Sequence, residues 1–413
     1  MTHFSTSGAT ARKTSAATGK GTRIAGVDAA RGLALLGMIA VHILPLAVLS
    51  SSSVPSATWA GTLFAGRASA LFVLLAGVGL ALLSGGNGSI AAPKLAGVRR
   101  QVVIRAVLIC GFGLGLGMLD TNVAVILVHY SIMFFGAIAF LRLRAVALGC
   151  WAAGWLILSP GALYLLRPWL QQVLDPSRLG ASPLPEDFGT PLVFLADIFV
   201  TGYYPVLVWF GFLLAGLCVG RLALGRPPVA LAIAVLGALL AVGSKLLSVW
   251  LLAMPGALSS LRQATGLDST QLAVSLVTGQ RLGEAPQSIW FLAISAPHSG
   301  APLDVLHVTG CALAVLGSAQ LVCMALSALF GSVGEMILWP LTGAGAATLT
   351  LYAAHLVALD LFSDASAPLP RTMLFITYAI GCLLAGLVFG FLGKRAPLEA
   401  LVHSVSRTLA RSA

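Results

Sequence analysis

The chain predicts an all-α polytopic membrane protein, a single bundle of about ten transmembrane helices, and three observations carry that expectation. Hydrophobic residues make up 58% of the 413 positions and charged residues only 9%, whereas a soluble domain carries about 25% charged residues. Mean hydropathy is +0.97. Ten apolar stretches recur along the chain, each near the roughly 20 residues that a spanning helix needs. The net charge of +11 comes from cations dispersed among the connections, which reports topology and argues against nucleic acid.

Taken in order, residues 1–22 are rich in Ser, Thr, Ala and Gly with Arg12, Lys13 and Lys20, a composition that predicts a disordered cytoplasmic tail. The first apolar run follows this basic leader without a small-residue cleavage site, so it reads as a retained helix. Spans are expected at 30–50, 62–84, 101–119, 122–141, 145–166, 202–222, 228–252, 304–330, 338–361 and 372–392, within a transmembrane domain at 23–395 that a cytoplasmic tail follows at 396–413. An even count puts both termini on one side. The cations of that side (Arg23, Lys94, Arg99, Arg100, Arg142, Arg144, Arg221, Arg226, Lys394, Arg395, Arg407 and Arg411) make it cytoplasmic, N-in and C-in. Two long connections, 167–201 and 253–303, fall on the outer side and border Gly202-Tyr-Tyr-Pro205, Trp290 and Pro297-His298-Ser299-Gly300. Loops of that length usually carry function, and extracytoplasmic recognition is the simplest one.

Small residues imply close helix packing: Gly77, Gly79, Gly111, Gly113, Gly115, Gly117, Gly343 and Gly345. The six cysteines (Cys110, Cys150, Cys218, Cys311, Cys323 and Cys382) lie in apolar runs without CxxC spacing, which indicates neither a disulfide frame nor a zinc site. The histidines also lack HxH or HxxxH spacing, and no metal is expected.

Ionisable groups at lipid depth are the candidates for chemistry. His42 lies eleven residues beyond Arg31, ~16 Å deeper along a helix. His129, His298, His307 and His355 also fall at mid-membrane or toward the outside, while His3 and His403 fall in the tails. Asp304 and His307, spaced i, i+3, can share a face on which the carboxylate orients the imidazole as a general base. Thr348, Tyr352 and His355 form a polar seam at i, i+4, i+7. Arg31, with Asp28 at i−3 as a partner, and Arg105 are deep enough to need counter-charges, and a bound phosphate would serve. Arg99 and Arg100 read first as interfacial anchors.

Val27-Asp28-Ala-Ala-Arg31-Gly32-Leu33-Ala34 followed by His42 resembles the opening of the transmembrane acyltransferase superfamily. That group includes the acyltransferase-3 family, YeiB-like proteins and heparan-α-glucosaminide N-acetyltransferases. The Arg, ten residues, His interval is similar to that of acyltransferase-3 proteins. Gly66-Arg67 through Phe72 to Gly77, Arg99-Arg100 with Arg105, and Asp120 through Ile126 to His129-Tyr130 resemble successive YeiB-like spans. Ala347-Thr348-Leu-Thr350-Leu351-Tyr352-Ala-Ala-His355 resembles the late helix of the heparan-type enzymes.

The resemblance implies acyl transfer across the bilayer, from cytosolic acyl-CoA, chiefly acetyl-CoA, to a hydroxyl or amino group of an extracytoplasmic glycan or glycolipid. It puts His42 forward as general base or transient acyl carrier, with His355, His298, Asp304 and His307 as further catalytic candidates. Arg31, Arg99, Arg100 and Arg105 would hold the donor. Heparan-type enzymes differ in two ways: they carry Asn at the position of His42, and a proposed catalytic His where Ser56 stands. That moves the expected chemistry toward the acyltransferase-3 arrangement and the expected acceptor toward a cell-envelope glycan. Acyl-CoA, a carbohydrate or lipid-linked acceptor and membrane lipids are the expected partners, a homodimer is compatible, and a multi-pass bacterial inner-membrane location follows. The alternative is a transporter or flippase that uses the deep histidines as proton relays.

Overall fold

Proline placement and close backbone approach shape this architecture more than helix propensity does. The computed structural model describes residues 24–49, 55–88, 92–174, 183–279, 282, 288–362 and 369–411. The expected tail at 1–22 and parts of the two long connections lie outside those residues. Helix α1 (Ala25–Ile43) stops before Pro45, which pushes Leu44 into extended backbone (φ −90°, ψ 146°). The span expected at 30–50 therefore ends early, and His42 sits in the last turn of the helix instead of its middle. A hairpin of β1 (Ala47–Leu49) and β2 (Pro55–Ala57) follows, antiparallel with Ala47 opposite Ala57. Next come α2 (Trp59–Phe64), α3 (Arg67–Leu83), α4 (Ala92–Gly117), α5 (Leu127–Ala137) and α6 (Ala145–Val173). The chain continues through α7 (Pro191–Ala196), α8 (Val206–Gly220), α9 (Pro227–Leu252), α10 (Ala257–Thr265) and α11 (Ser269–Thr278). It ends with α12 (Pro302–Phe330), α13 (Ser332–Ala346), α14 (Thr348–Leu361), α15 (Arg371–Leu392) and α16 (Pro397–Arg411).

The protein is an all-α, multi-pass membrane protein. Among the described residues seven helices or helix pairs are long and apolar enough to cross a bilayer: α1, α2 with α3, α4, α6, α9, α12 and α15. Two further crossings are bent, by 52° between Thr201 and Val206 and by 70° between α13 and α14. The remaining apolar stretch is the shorter helix Leu127–Phe140. Pro205 accounts for the first bend, since it opens α8 and removes a backbone donor. At the second, the Thr348 hydroxyl donates to Gly345 O and takes up a carbonyl that the break frees. Residues Arg144, Arg221 and Arg395 mark one face, here the basic face; the strands β1 and β2, helices α10 and α11 and residues 288–301 mark the loop face.

Lipid offers no hydrophobic gain for helix association, so the helices meet where small residues let backbones touch. A Cβ on Gly216 of α8 would strike Leu74 O of α3, and one on Gly77 would strike Leu213 O in return. Gly237 on α9 faces Ala314 N, and Gly310 on α12 faces Ala241 N. Gly345 lies against Asp28 O and Gly343 against Gly386 O, which joins α13 to α1 and α15. Gly111 and Gly115 behave differently from the other expected packing glycines: a Cβ there would meet nothing within 4 Å.

Two polar devices close the basic face. Arg221, 5% exposed, donates to Ala81 O, Ser84 O and Gly86 O around the end of α3, and to Leu141 O, so one guanidinium ties the end of α3 to the segment that follows α5. The segment 396–413, expected as a tail, is helical over Pro397–Arg411 and buries Val402, Ser406 and Ala410 on one stripe. Glu399 accepts from Leu349 N at 2.6 Å, Thr350 N at 3.2 Å and the Thr350 hydroxyl at 2.6 Å. That carboxylate caps the start of α14.

Gly216→Ala should destabilise the protein by about 1–3 kcal/mol, because the new methyl meets a backbone carbonyl that has nowhere to move. Gly154→Ala, whose Cβ meets nothing within 4 Å, should leave the melting temperature in detergent unchanged or raise it. Equal melting temperatures for the two variants would contradict the packing described.

Candidate functional site

Two cavities lie one above the other along α1, and a pair of histidines stands where they approach. Toward the basic face, a cavity of about 210 Å³ is lined by Arg31, Phe72, Tyr130, Thr348, Tyr352 and Glu399 among others. Arg31 Nη1 donates to Asp28 Oδ1 at 3.1 Å, the i, i+3 pair that its spacing predicts. Its Nη2 lies 3.5 Å from Leu75 O and would be struck by a Cβ at Gly79, so the guanidinium packs over α3. Thr348, Tyr352 and His355 are all buried, so the seam on α14 faces the bundle interior.

His42 Nδ1 lies 3.0 Å from His355 Nε2, with the rings 9° from parallel. One imidazole donates and the other accepts, so the pair shares a proton along that line and the two rings cannot both present hydrogen there. When His42 donates from Nδ1, its Nε2 is left as an acceptor, the form a general base needs. Tyr352 stands edge-on to His355 with centroids 5.2 Å apart, between the pair and the basic-face cavity.

Toward the loop face, His42 lines a second cavity of about 320 Å³ with Ser69, Asn122, Tyr203, Tyr204 and His298. His298 takes a left-handed conformation (φ 58°), uncommon for a residue with a side chain. Its ring lies 4.2 Å from that of Tyr203 and parallel to Trp209 within 13° at 5.8 Å. Burial there pushes the His298 imidazole down to about 3, which keeps it neutral. The turn carrying it is held by Asp304, whose Oδ2 accepts from Gly300 N at 3.2 Å and the Ser299 hydroxyl at 3.3 Å.

The sequence expectations divide accordingly. His42, His355 and His298 are brought to one site, and Asp304 supports the His298 turn. Asp304 does not orient His307. His307 Nδ1 donates to Ala241 O at 2.9 Å, while its Nε2 accepts from Arg67 Nε at 3.1 Å and Nη2 at 2.9 Å. That lone pair is engaged, and His307 lines a different cavity. Arg31 is at the basic-face cavity, whereas Arg99 and Arg100 are exposed on the first turns of α4. Arg105 is half-buried against α16, where Nε donates to Ser406 Oγ at 3.4 Å. Ser56 is exposed on the hairpin, away from the cavity that His42 lines.

Sequence reasoning missed several groups. Asn122 and Ser69 carry no signal beyond their polarity. His403, Arg395 and Arg407 gather with Arg105; burial, and then the charges of those three arginines, hold the His403 imidazole below its ordinary range. Their one-sided charge near the end of the last span was the available clue. Among the described residues no group of three or more His, Cys, Asp or Glu side chains is placed to hold a metal.

The cavities follow the chain in register. On α1 Arg31 serves one and His42 the other; on α3 Phe72 and Ser69 do; before and within α5, Tyr130 and Ala124 do. His42 lines the loop-face cavity alone, and its partner His355 follows Tyr352 of the basic-face cavity by one turn. No curated protein matches the chain. A family model described as heparan-alpha-glucosaminide N-acetyltransferase, catalytic, matches residues 23–255, more than half of the chain. The chain therefore belongs to the heparan-alpha-glucosaminide N-acetyltransferase catalytic family, and is an acyltransferase of the membrane.

Proposed function

We propose that the protein transfers an acyl group, chiefly acetyl, from cytosolic acyl-CoA to a hydroxyl or amino group of an extracytoplasmic glycan or glycolipid in a bacterial inner membrane. The observation that carries this reading is the His42–His355 pair between two cavities, one lined by residues toward the basic face and the other by residues toward the loop face. Family membership favours the enzyme over a proton-relay carrier.

Acyl-CoA would supply an activated thioester, and the basic-face cavity suits its arm. The walls there are apolar, with Arg31, Tyr130 and Tyr352 among the lining residues. Arg105, Arg395, Arg407 and His403 would receive the phosphates, with Arg99 and Arg100 contributing long-range attraction. On the outer side, Tyr203, Tyr204 and the neutral His298 form an aromatic wall, and Asn122 and Ser69 offer hydrogen bonds, a mixture suited to a sugar. His42 Nε2 would take the proton of the attacking acceptor group while His355 holds the His42 Nδ1 proton in place. Microscopic reversibility lets the same imidazole return that proton to the departing thiolate. Direct transfer requires no acyl-histidine intermediate.

His42→Ala should reduce transfer of labelled acetyl to an envelope acceptor by about 10²–10⁴-fold, the usual worth of a positioned base. It should leave thermal stabilisation by CoA intact. Activity retained in this variant would remove His42 from the mechanism.

The donor-phosphate assignment makes a separate prediction. His403 titrates below its ordinary range because of burial and neighbouring arginines; an anion bound among them opposes that field and should raise its pKa. NMR titration of labelled histidine with and without CoA reads the change. An unmoved or lowered His403 would place the phosphates elsewhere.

A further inference from the structure

A third cavity, of about 530 Å³, belongs to neither the donor nor the acceptor side. It is a groove between α1, α3, α9 and α12, lined by Ala34, Leu71, Ala238, Ala241 and Val315 along its length, and its rim residues Leu33, Leu63 and Val242 are exposed. In a multi-pass protein such exposure faces lipid. The end nearer the loop face is cationic: Arg67, at the start of α3, and Lys245, on α9, line the groove together with His307. Lys245 lies seven residues short of the α9 terminus, ~10 Å along the helix.

These cations lack an acid of their own. Lys245 Nζ donates to Ser295 Oγ at 3.0 Å, and Arg67 directs Nε and Nη2 to His307 and Nη1 to Gly61 O and Ala65 O, which leaves one Nη2 hydrogen for a ligand. Asp304 exerts a field on both; its Oδ2 accepts from Gly300 and Ser299 and its buried Oδ1 reaches neither cation, and among the described residues no carboxylate is within ion-pair distance of Lys245 or Arg67. The neutral His307 tautomer, fixed by Ala241 O, adds no negative charge. Cations at lipid depth without a direct ion pair are costly, and a lipid phosphate supplies one through charge-assisted hydrogen bonds.

We propose that this groove binds an anionic phospholipid from the loop-face leaflet, with one acyl chain along α9 and α12 and its phosphate at Lys245 and Arg67. The apolar length and the cationic end match the two parts of such a molecule. The site stands independently of the acyl-transfer reading. It is also its neighbour, since Phe64 and Ala68 line both this groove and the cavity that His42 lines.

The test is lipid titration of the purified full chain in a neutral detergent, followed by native mass spectrometry and thermal denaturation. Phosphatidylglycerol should bind one per chain and at least about tenfold more tightly than phosphatidylcholine or diacylglycerol, and inorganic phosphate alone should not stabilise. Lys245→Gln should erase that preference. Ala238→Phe, which fills the groove from an exposed position, should weaken phosphatidylglycerol while leaving the unliganded melting temperature unchanged. Equal binding of charged and uncharged lipids, a preference that survives Lys245→Gln, or equal stabilisation by inorganic phosphate would overturn the proposal.

Discussion

A hydrogen bond between two imidazoles, His42 to His355, is the constraint around which the rest of this bundle is arranged. Neither ring can be left without a partner where water is scarce, and each comes from an interrupted helix, broken just after His42 in one case and about two turns before His355 in the other. Pro45 stops α1 just beyond His42; the break at Ala347 lets α14 start afresh and aim His355 across. The geometry is then held from both ends. Gly345 and Gly32 bring α13 against α1 with backbones nearly touching, and Glu399 of α16 ties down the first amides of α14. Small residues and a capping carboxylate thus act far from the reacting atoms to fix two ring nitrogens 3.0 Å apart.

That arrangement also explains why the site has two sides. Tyr352, one turn before His355, closes the space toward Arg31, while Tyr203, Tyr204 and His298 enclose the space beyond His42. His42 lines the loop-face cavity, and His355 follows Tyr352 of the basic-face cavity by one turn, so the pair stands between a thioester delivered from one face and a nucleophile delivered from the other. Asp304 contributes indirectly: by gripping Ser299 and Gly300 it holds His298 in a left-handed turn that its side chain does not favour.

Much of this was legible in the chain. Hydropathy locates seven helices that can cross a bilayer and two bent pairs, with the shorter helix Leu127–Phe140 at the remaining expected span; the Asp28–Arg31 spacing gives an observed ion pair, and the Thr348, Tyr352, His355 stripe faces inward as its periodicity requires. What could not be read is long-range. No local pattern says that residue 42 meets residue 355, and the i, i+3 spacing of Asp304 and His307 suggested a partnership that tertiary contacts overrule: Arg67 and Ala241 claim the imidazole, the 298–300 turn claims the carboxylate. The helix at 397–411 was hidden for another reason. It is too short and too charged to register as a span, and its buried stripe has meaning only against α4 and α14.

The claim that the two imidazoles work as one unit is tested most directly by a double-mutant cycle on kcat/KM for acetyl transfer, using His42→Ala, His355→Ala and the double variant. If the pair is the functional unit, each single change forfeits most of the advantage and the double variant is little worse than His42→Ala, a strongly non-additive cycle. Losses that multiply, with the double variant slower by the product of the two single effects, would mean that the rings act independently and would contradict the account.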